Sequence, residues 1–112
     1  MALTPLRALK DRDGRIFPVP LSAGYVDHRF FAAATAESHT SPTGANWVVA
    51  TPTVDAYVNT GGTAVVPSAD VTDGTGSTLC PAGVKTVFCV GADTTISVIA
   101  TVAGSVQLEY YS

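Results

Sequence analysis

The C-terminal segment, residues 106–111, carries the pattern that most constrains the fold. Every second side chain in it is apolar or aromatic, namely Val106, Leu108 and Tyr110. The side chains between them are Gln107, Glu109 and Tyr111. Because successive side chains of a β-strand leave opposite faces, this period of two predicts a strand with one face in a core.

The run before it, residues 95–102, has a matching apolar set in Ile96, Val98, Ala100 and Val102. Ile99 interrupts the polar set, which predicts a strand covered on both faces. Gly104 stands between the two runs, where a tight connection needs permissive backbone angles. We therefore expect the two runs to pair as a hairpin.

Upstream of these runs, the chain from Trp47 onward also has a β pattern. Short apolar or alternating runs predict strands at 47–50, 54–58, 63–66 and 84–90. Gly61-Gly62 and the Asp-Gly, Gly-Ser and Pro-Ala-Gly elements of 69–83 supply turn chemistry between them. Short strands at this spacing, with no helix between them, predict an all-β, antiparallel β-sandwich or a small barrel.

The first twenty residues are predicted to form an N-terminal arm, separate from a single β domain at 21–112. Asp13-Gly14 is a strong hairpin signal that would let 15–17 pair back with 6–10. Thr4-Pro5 could instead begin a short helix, and Pro18 and Pro20 require an extended exit. We favour a hairpin or an extended arm.

Residues 21–46 leave two alternatives open. A short strand could run from Tyr25 to Phe31, whereas the alanine-rich residues 32–37 suit a helical turn. Residues 38–46 are rich in Ser, Thr, Pro and Gly, which predicts a loop.

The charge content of the chain bears on its partners. Charged residues make up 13% of the 112 residues, about half the usual share, so we expect surface that is covered by another molecule. Residues 1–29 carry 5 − 3 = +2 and residues 30–112 carry 1 − 6 = −5, which returns the net charge of −3. This weak, mixed basic arm excludes nucleic acid as a partner. The sequence has neither a membrane span nor a secretory signal, so we expect use without translocation.

The search for chemistry predicts no catalytic, cofactor or metal site. His28 lies between Asp27 and Arg29, but no G-x-S-x-G turn presents a nucleophilic serine. Residues 70–77 place oxygen side chains at alternate positions but fail the calcium-loop pattern, so we interpret them as a turn capped by aspartates. Cys80 and Cys89 are interpreted as free buried thiols, with a disulfide as the alternative.

The aromatic residues have two interpretations. Trp47, Tyr57, Tyr110 and Tyr111 could form a stacking platform for sugars or bases. We favour core and subunit-interface packing, and the candidate subunit interface consists of Tyr25, Phe30, Phe31, Trp47 and Tyr111.

Two phrases of the sequence resemble a known kind of protein. Residues 9–18, Leu-Lys-Asp-Arg-Asp-Gly-Arg-Ile-Phe-Pro, resemble the openings of small virion proteins of tailed bacteriophages. Residues 81–84, 94–100 and 106–111 resemble the β body of the same kind of protein. Such proteins are capsid decoration, or cement, proteins, and the resemblance implies a small antiparallel β-sandwich or jelly-roll-like body.

The resemblance implies a structural, non-enzymatic role on the capsid exterior, after synthesis in the host cytoplasm. The partner would be the major capsid protein, whose subunits the chain would tie together, and the chain would itself be a homo-oligomer, with a trimer favoured. The arm residues expected to contact the capsid are Leu6, Arg7, Leu9, Arg12, Arg15, Ile16 and Phe17. The alternative function is a tail- or fibre-associated module that recognises a host glycan, with Tyr57 and Tyr111 as stacking residues. A small hydrolase using His28 is the third hypothesis.

Overall fold

The part of the chain that the structure describes contains ten β-strands and no helix. The structure is a computed structural model, and it describes Leu3, Leu9–Lys10, Ile16–Phe17 and residues 24–91 and 94–112. The strands are β1 (Leu9–Lys10), β2 (Ile16–Phe17), β3 (Tyr25–Phe31), β4 (Glu37–Thr40), β5 (Trp47–Pro52), β6 (Ala56–Thr60), β7 (Thr78–Cys80), β8 (Thr86–Cys89), β9 (Thr95–Ile99) and β10 (Gly104–Tyr111). These residues include no helix able to cross a bilayer.

Strands β3 to β10 form two antiparallel sheets of four strands, packed face to face. The first sheet has the order β3-β10-β5-β8 and the second has the order β4-β9-β6-β7. Each consecutive pair from β3 to β6 and from β7 to β10 therefore changes sheet. This is the strand order of a jelly roll, and it confirms the predicted all-β, jelly-roll-like sandwich.

The core lies between the two sheets and follows the predicted alternation. Val106, Leu108 and Tyr110 of β10 are all buried, and β5 adds Val48 and Ala50 beside them. The second sheet contributes its own buried set, formed by Ala56, Val58, Ile96 and Val98. Burying a Val, Ile or Leu side chain in this core stabilises the fold by about 1.5–3 kcal/mol.

The hairpin predicted from the last two runs is wrong. β9 pairs with β4 and β6, whereas β10 pairs with β3 and β5, so the chain crosses between sheets after Ile99. Gly104 is needed because of a close approach at the start of β10. A Cβ on it would lie 2.8 Å from Val54 Cγ2.

Two other predictions, the strand at 63–66 and the open alternatives for 21–46, can be compared with the structure. Residues 63–66 form no strand; they lie over the outer face of the second sheet, where the Ala64 amide donates to Ser97 Oγ at 2.8 Å. Both residues are buried, so this bond satisfies a buried donor. Of the two alternatives near the start of the body, the strand is the one observed, as β3, and residues 32–36 include only a turn.

The described part of the first twenty residues consists of one residue and two short strands. β1 and β2 pair antiparallel, with Leu9 opposite Phe17 and Lys10 opposite Ile16. Leu3 is partly buried and packs against the core of the body. Leu6, Arg7, Arg12 and Arg15 lie outside the described residues, as does the predicted boundary at residue 20.

Candidate interaction surface

The strand β3 forms a free edge of the first sheet. Within the described part of the chain it pairs with β10 alone, over all seven of its residues. Directly opposed residues of a ladder share a face, so the register assigns every side chain of β3. Val26, His28 and Phe30 lie on the outer face, while Tyr25, Asp27, Arg29 and Phe31 lie on the face toward the second sheet.

At the end of β3, two neighbouring phenylalanines lie on opposite faces of the sheet. Phe30 is 81% exposed on the outer face, whereas Phe31 is buried in the core. An open groove of about 650 Å³ lies here, lined by both rings and by Ala32, Thr53 and Ser105 among others. Of the five residues expected at a subunit interface, Phe30 therefore presents the largest free apolar surface.

The other aromatic interface candidates are less exposed. Trp47 is about one-third exposed at the start of β5. Tyr25 is half-buried and packs edge-to-face on Tyr110, with ring centroids 5.6 Å apart. Phe31 and Tyr111 are buried within the chain itself, so neither ring offers surface to a partner. Of the five candidate interface residues, Phe30, Trp47 and part of Tyr25 therefore have surface that a partner could contact.

A buried carboxylate lies on the outer face of the first sheet. Glu109 Oε1 accepts hydrogen bonds from Lys85 Nζ at 3.2 Å and from Gln107 Nε2 at 2.9 Å. Its Oε2 accepts from the Tyr111 hydroxyl at 3.4 Å. Burial, with the Glu109 charge beside it, raises the pKa of Tyr111. Three donors thus compensate one carboxylate that is almost out of contact with water.

A second polar cluster lies between the sheets, where the edge strands β3 and β4 approach each other. Asp27 Oδ2 and Arg29 Nη2 form an ion pair of 3.7 Å on β3. Burial and the Arg29 charge lower the pKa of His39, against the opposing effects of Glu37 and Asp27. Tyr110 also belongs here, and burial is the main cause that raises its pKa to about 12.

Two polar atoms of this cluster are buried without a hydrogen-bond partner among the described residues: His39 Nε2 and the Tyr110 hydroxyl. Such groups destabilise a fold by about 1–3 kcal/mol each. These two unpartnered polar atoms therefore lower the stability of the fold.

The arrangement around His28 does not suit the hydrolase hypothesis. His28 lies on the outer face, and its neighbours Asp27 and Arg29 lie on the opposite face of the same strand. Within the described residues, no group of three His, Cys, Asp or Glu side chains is placed to hold a metal ion.

The loop at residues 70–77 has the predicted capping by an aspartate. Asp73 Oδ1 accepts from the Thr75 amide at 3.1 Å and from its hydroxyl at 2.6 Å. These bonds lower the pKa of Asp73.

Both cysteines are free thiols, as the favoured interpretation has it, but they differ in burial. Cys80 is buried in β7 of the second sheet, and Cys89 is exposed at the end of β8 in the first sheet. The expectation that both are buried is wrong for Cys89, because its position opposite Trp47 turns it to the outer face.

The residues of the alternative interpretation, a stacking platform for a sugar or base, do not share one exposed face. Tyr110 and Tyr111 are buried, and Tyr57 is half-buried on the outer face of the second sheet. Tyr57 lies between Leu79 on one neighbouring strand and Ile99 on the other.

Sequence reasoning did not identify Lys85, Glu109 or His39 as notable residues. Glu109 carries a weak signal, since it is the only acid within the apolar C-terminal strand. Lys85 is 24 positions away from Glu109 in the chain, and His39 lies in a segment predicted as loop. Only the packing of separate strands brings these residues to their partners.

Together these features define a jelly-roll β-sandwich whose seven-residue strand β3 has a neighbour on one side alone within the described residues and carries the exposed Phe30. Comparison of the chain with protein-family models, with curated proteins and with solved structures found no match.

Proposed function

We propose that this chain is a structural virion protein that binds the outer surface of a bacteriophage capsid and ties major capsid subunits together. It acts by binding alone and makes or breaks no bond. The protein is made in the host cytoplasm and remains on the exterior of the virion. The proposal starts from the resemblance of residues 9–18 and of the C-terminal strands to capsid decoration proteins.

The observation that carries the proposal is the apolar surface of the described body. Nine large apolar side chains are exposed: Val26, Phe30, Trp47, Val65, Val71, Leu79, Val84, Val87 and Val102. Single exposed apolar residues are ordinary, but this number accompanies a charged fraction of only 13%. Such a surface is suited to lasting contact with other proteins.

The charge distribution supports a contact through the first twenty residues. The basic excess of residues 1–29 is separated from the acidic excess of residues 30–112. Arg12 and Arg15 would set the orientation of the arm on an acidic capsid surface, and the apolar residues Leu9, Ile16 and Phe17 would supply contact area. Repeated copies on one shell would bind more tightly than a single copy.

The test is binding to DNA-free heads of the parent virus, prepared without this protein. The full chain should sediment with the heads. A variant with residues 9–17 replaced by a Gly/Ser linker of equal length should bind at least tenfold more weakly, equivalent to about 1.4 kcal/mol. This replacement retains Leu3, which packs against the core, so the body should keep its thermal stability.

The outcomes separate the two parts of the proposal. Full-chain protein that does not bind heads would contradict the capsid role. Equal binding by the linker variant would contradict the arm assignment while leaving the capsid role. Asp70→Asn is the control and should bind normally, because it changes the net charge by one unit on an exposed loop, as much as the linker replacement does.

The glycan-binding alternative has no observation in its favour. Its preferred stacking residue, Tyr111, is 1% exposed and so presents no ring face to a sugar.

A further inference from the structure

The strand β3 has a sequence that is complementary to itself. From Tyr25 to Phe31 it reads aromatic, apolar, acid, His, base, aromatic, aromatic, so opposite charges flank His28 at equal distance. We propose that β3 is the contact surface for a second copy of this chain, with the two β3 strands antiparallel about a twofold axis at His28. This contact is independent of capsid binding.

The charged residues select this arrangement. With the axis at His28, Asp27 of each copy lies directly opposite Arg29 of the other. Opposite charges in directly opposed positions of an antiparallel pair stabilise it. Both residues lie on the same face of β3 and are 3.7 Å apart within one copy, so the contact sets four charges of alternating sign on one face of the joined sheet.

The outer face of the same register is also matched. Val26 of each copy meets Phe30 of the other, and an aliphatic residue opposite an aromatic ring is a favourable cross-strand pair. Phe30 is the most exposed of the large apolar side chains in the described body, and this contact would cover it.

Neighbouring registers are disfavoured by the same charges. A shift of two residues in one direction places Asp27 opposite Asp27 of the second copy, and the opposite shift places Arg29 opposite Arg29. Like charges in directly opposed positions are destabilising. A shift of one residue exchanges the two faces and places exposed side chains against buried ones.

The other sheet edges are poorer candidates for this contact. β4 and β8 have four residues each and β7 has three, whereas β3 has seven. Short edges limit the number of main-chain hydrogen bonds that a partner strand can make. β3 pairs with β10 over its full length and contains no proline, so its other side can form a regular ladder.

The contact joins two copies and no more, because a twofold contact uses the same surface on both partners. It joins two four-stranded sheets into one sheet of eight strands. This gives a dimer, not the trimer that the resemblance to decoration proteins implies.

The first test is the mass of the protein in solution, measured by analytical ultracentrifugation over a wide concentration range. The chain has a mass of 11.5 kDa, so the expected dimer has 2 × 11.5 = 23 kDa. Asp27→Arg places Arg opposite Arg, and Arg29→Asp places Asp opposite Asp. Each single variant should therefore dissociate at least tenfold more readily than the native chain.

Mixing the two single variants in equal amounts gives the decisive result. The two arginines of the Asp27→Arg chain then lie opposite the two aspartates of the Arg29→Asp chain, so a 1:1 heterodimer should form. Far-UV circular dichroism of each variant establishes that it is folded, and recovery in the mixture excludes misfolding as the cause. Asp70→Arg, an equal change of charge on an exposed loop, should remain dimeric.

A cross-link tests the position of the axis. In a Cys89→Ser background, which removes the exposed thiol, His28→Cys should form a disulfide between copies under mild oxidation. Directly opposed Cα atoms lie about 4.5–5.5 Å apart in such a ladder, within the range a disulfide spans. Val26→Cys is the control, because two such residues lie about 13 Å apart along the strands.

Each contrary result overturns the proposal. A native chain that stays at 11.5 kDa at its highest soluble concentration has no such contact. Single variants that stay dimeric, or a mixture that stays monomeric, contradict the charge register. A trimer mass with no His28→Cys cross-link would place the subunit contact elsewhere.

Discussion

Lys85 Nζ and Glu109 Oε1 lie 3.2 Å apart, and they connect the residue just before β8 to β10, two strands that are separated by β5 in the first sheet. The Glu109 side chain is 9% exposed and that of Lys85 is 57% exposed. The carboxylate is therefore the partner that depends on the pair, whereas the ammonium group retains much of its hydration.

Lys85→Met is expected to lower the free energy of unfolding by about 1 kcal/mol, measured by urea denaturation. The loss is modest because the cation is half exposed and because Gln107 and Tyr111 still donate to Glu109. A double-mutant cycle with Glu109→Gln should give a coupling of about 0.5–1 kcal/mol. Strictly additive variants would mean that the pair contributes nothing.

Tyr110→Phe and Tyr111→Phe are expected to change stability in opposite directions. The Tyr110 hydroxyl is buried without a partner among the described residues, so its removal should raise the free energy of unfolding by about 1 kcal/mol. The Tyr111 hydroxyl donates to Glu109, so its removal should lower stability by a similar amount. Thermal and urea unfolding measure both variants; a destabilised Tyr110→Phe protein would contradict this account.

The raised pKa of Tyr110 predicts a loss of stability in alkaline solution. Its pKa lies at about 12 in the folded chain against 10.0 normally, so the folded state retains the phenolic proton longer. This contribution is complete below pH 10 and is lost as pH rises toward 12. The native chain should lose about 2 kcal/mol more than Tyr110→Phe across this interval, measured by urea unfolding. Parallel pH profiles would contradict the prediction.

The lowered pKa of His39 predicts a loss of stability in acid. Arg29, Asp27 and Glu37 surround this imidazole, and burial has the largest effect in lowering its pKa below 6.5. The folded state therefore binds its proton less readily than the unfolded state, so stability declines as pH falls below 6.5. His39→Gln should reduce this decline, measured by urea unfolding across the acid range.

The control for His39 is the neighbouring exposed position of the same strand. Ser38→Ala should retain the native decline, because Ser38 lies on the outer face of the second sheet and carries no titratable group. A His39→Gln protein with an unchanged acid profile would exclude His39 as the source.

Gly104→Ala is expected to destabilise the fold by about 1–3 kcal/mol through overpacking. The new methyl group would lie 2.8 Å from Val54 Cγ2 and 3.1 Å from Thr53 Oγ1. Adding Val54→Ala should recover part of the loss relative to additivity. Gly76→Ala is the matched control, since its nearest contact is 3.8 Å away and it should be close to neutral.

The sequence by itself determined the class of fold and the buried face of the last strand. Alternation at Val106, Leu108 and Tyr110 is a local property, and it assigns their common face without knowledge of any partner strand. The strand at Tyr25–Phe31 was one of two open alternatives, because an aromatic cluster next to an alanine run carries both propensities.

Only the tertiary structure decided which strands pair and which polar groups meet. The final two runs are adjacent in sequence but belong to different sheets, and their apolar faces meet in the same core between those sheets. The same long-range pairing brings Lys85 to Glu109 and His39 near Arg29, and places β3 last in the order of the first sheet as the described residues show it. The alternation of side chains in the sequence tells which face of a strand is buried. Which strand lies next to it depends on how the whole chain packs.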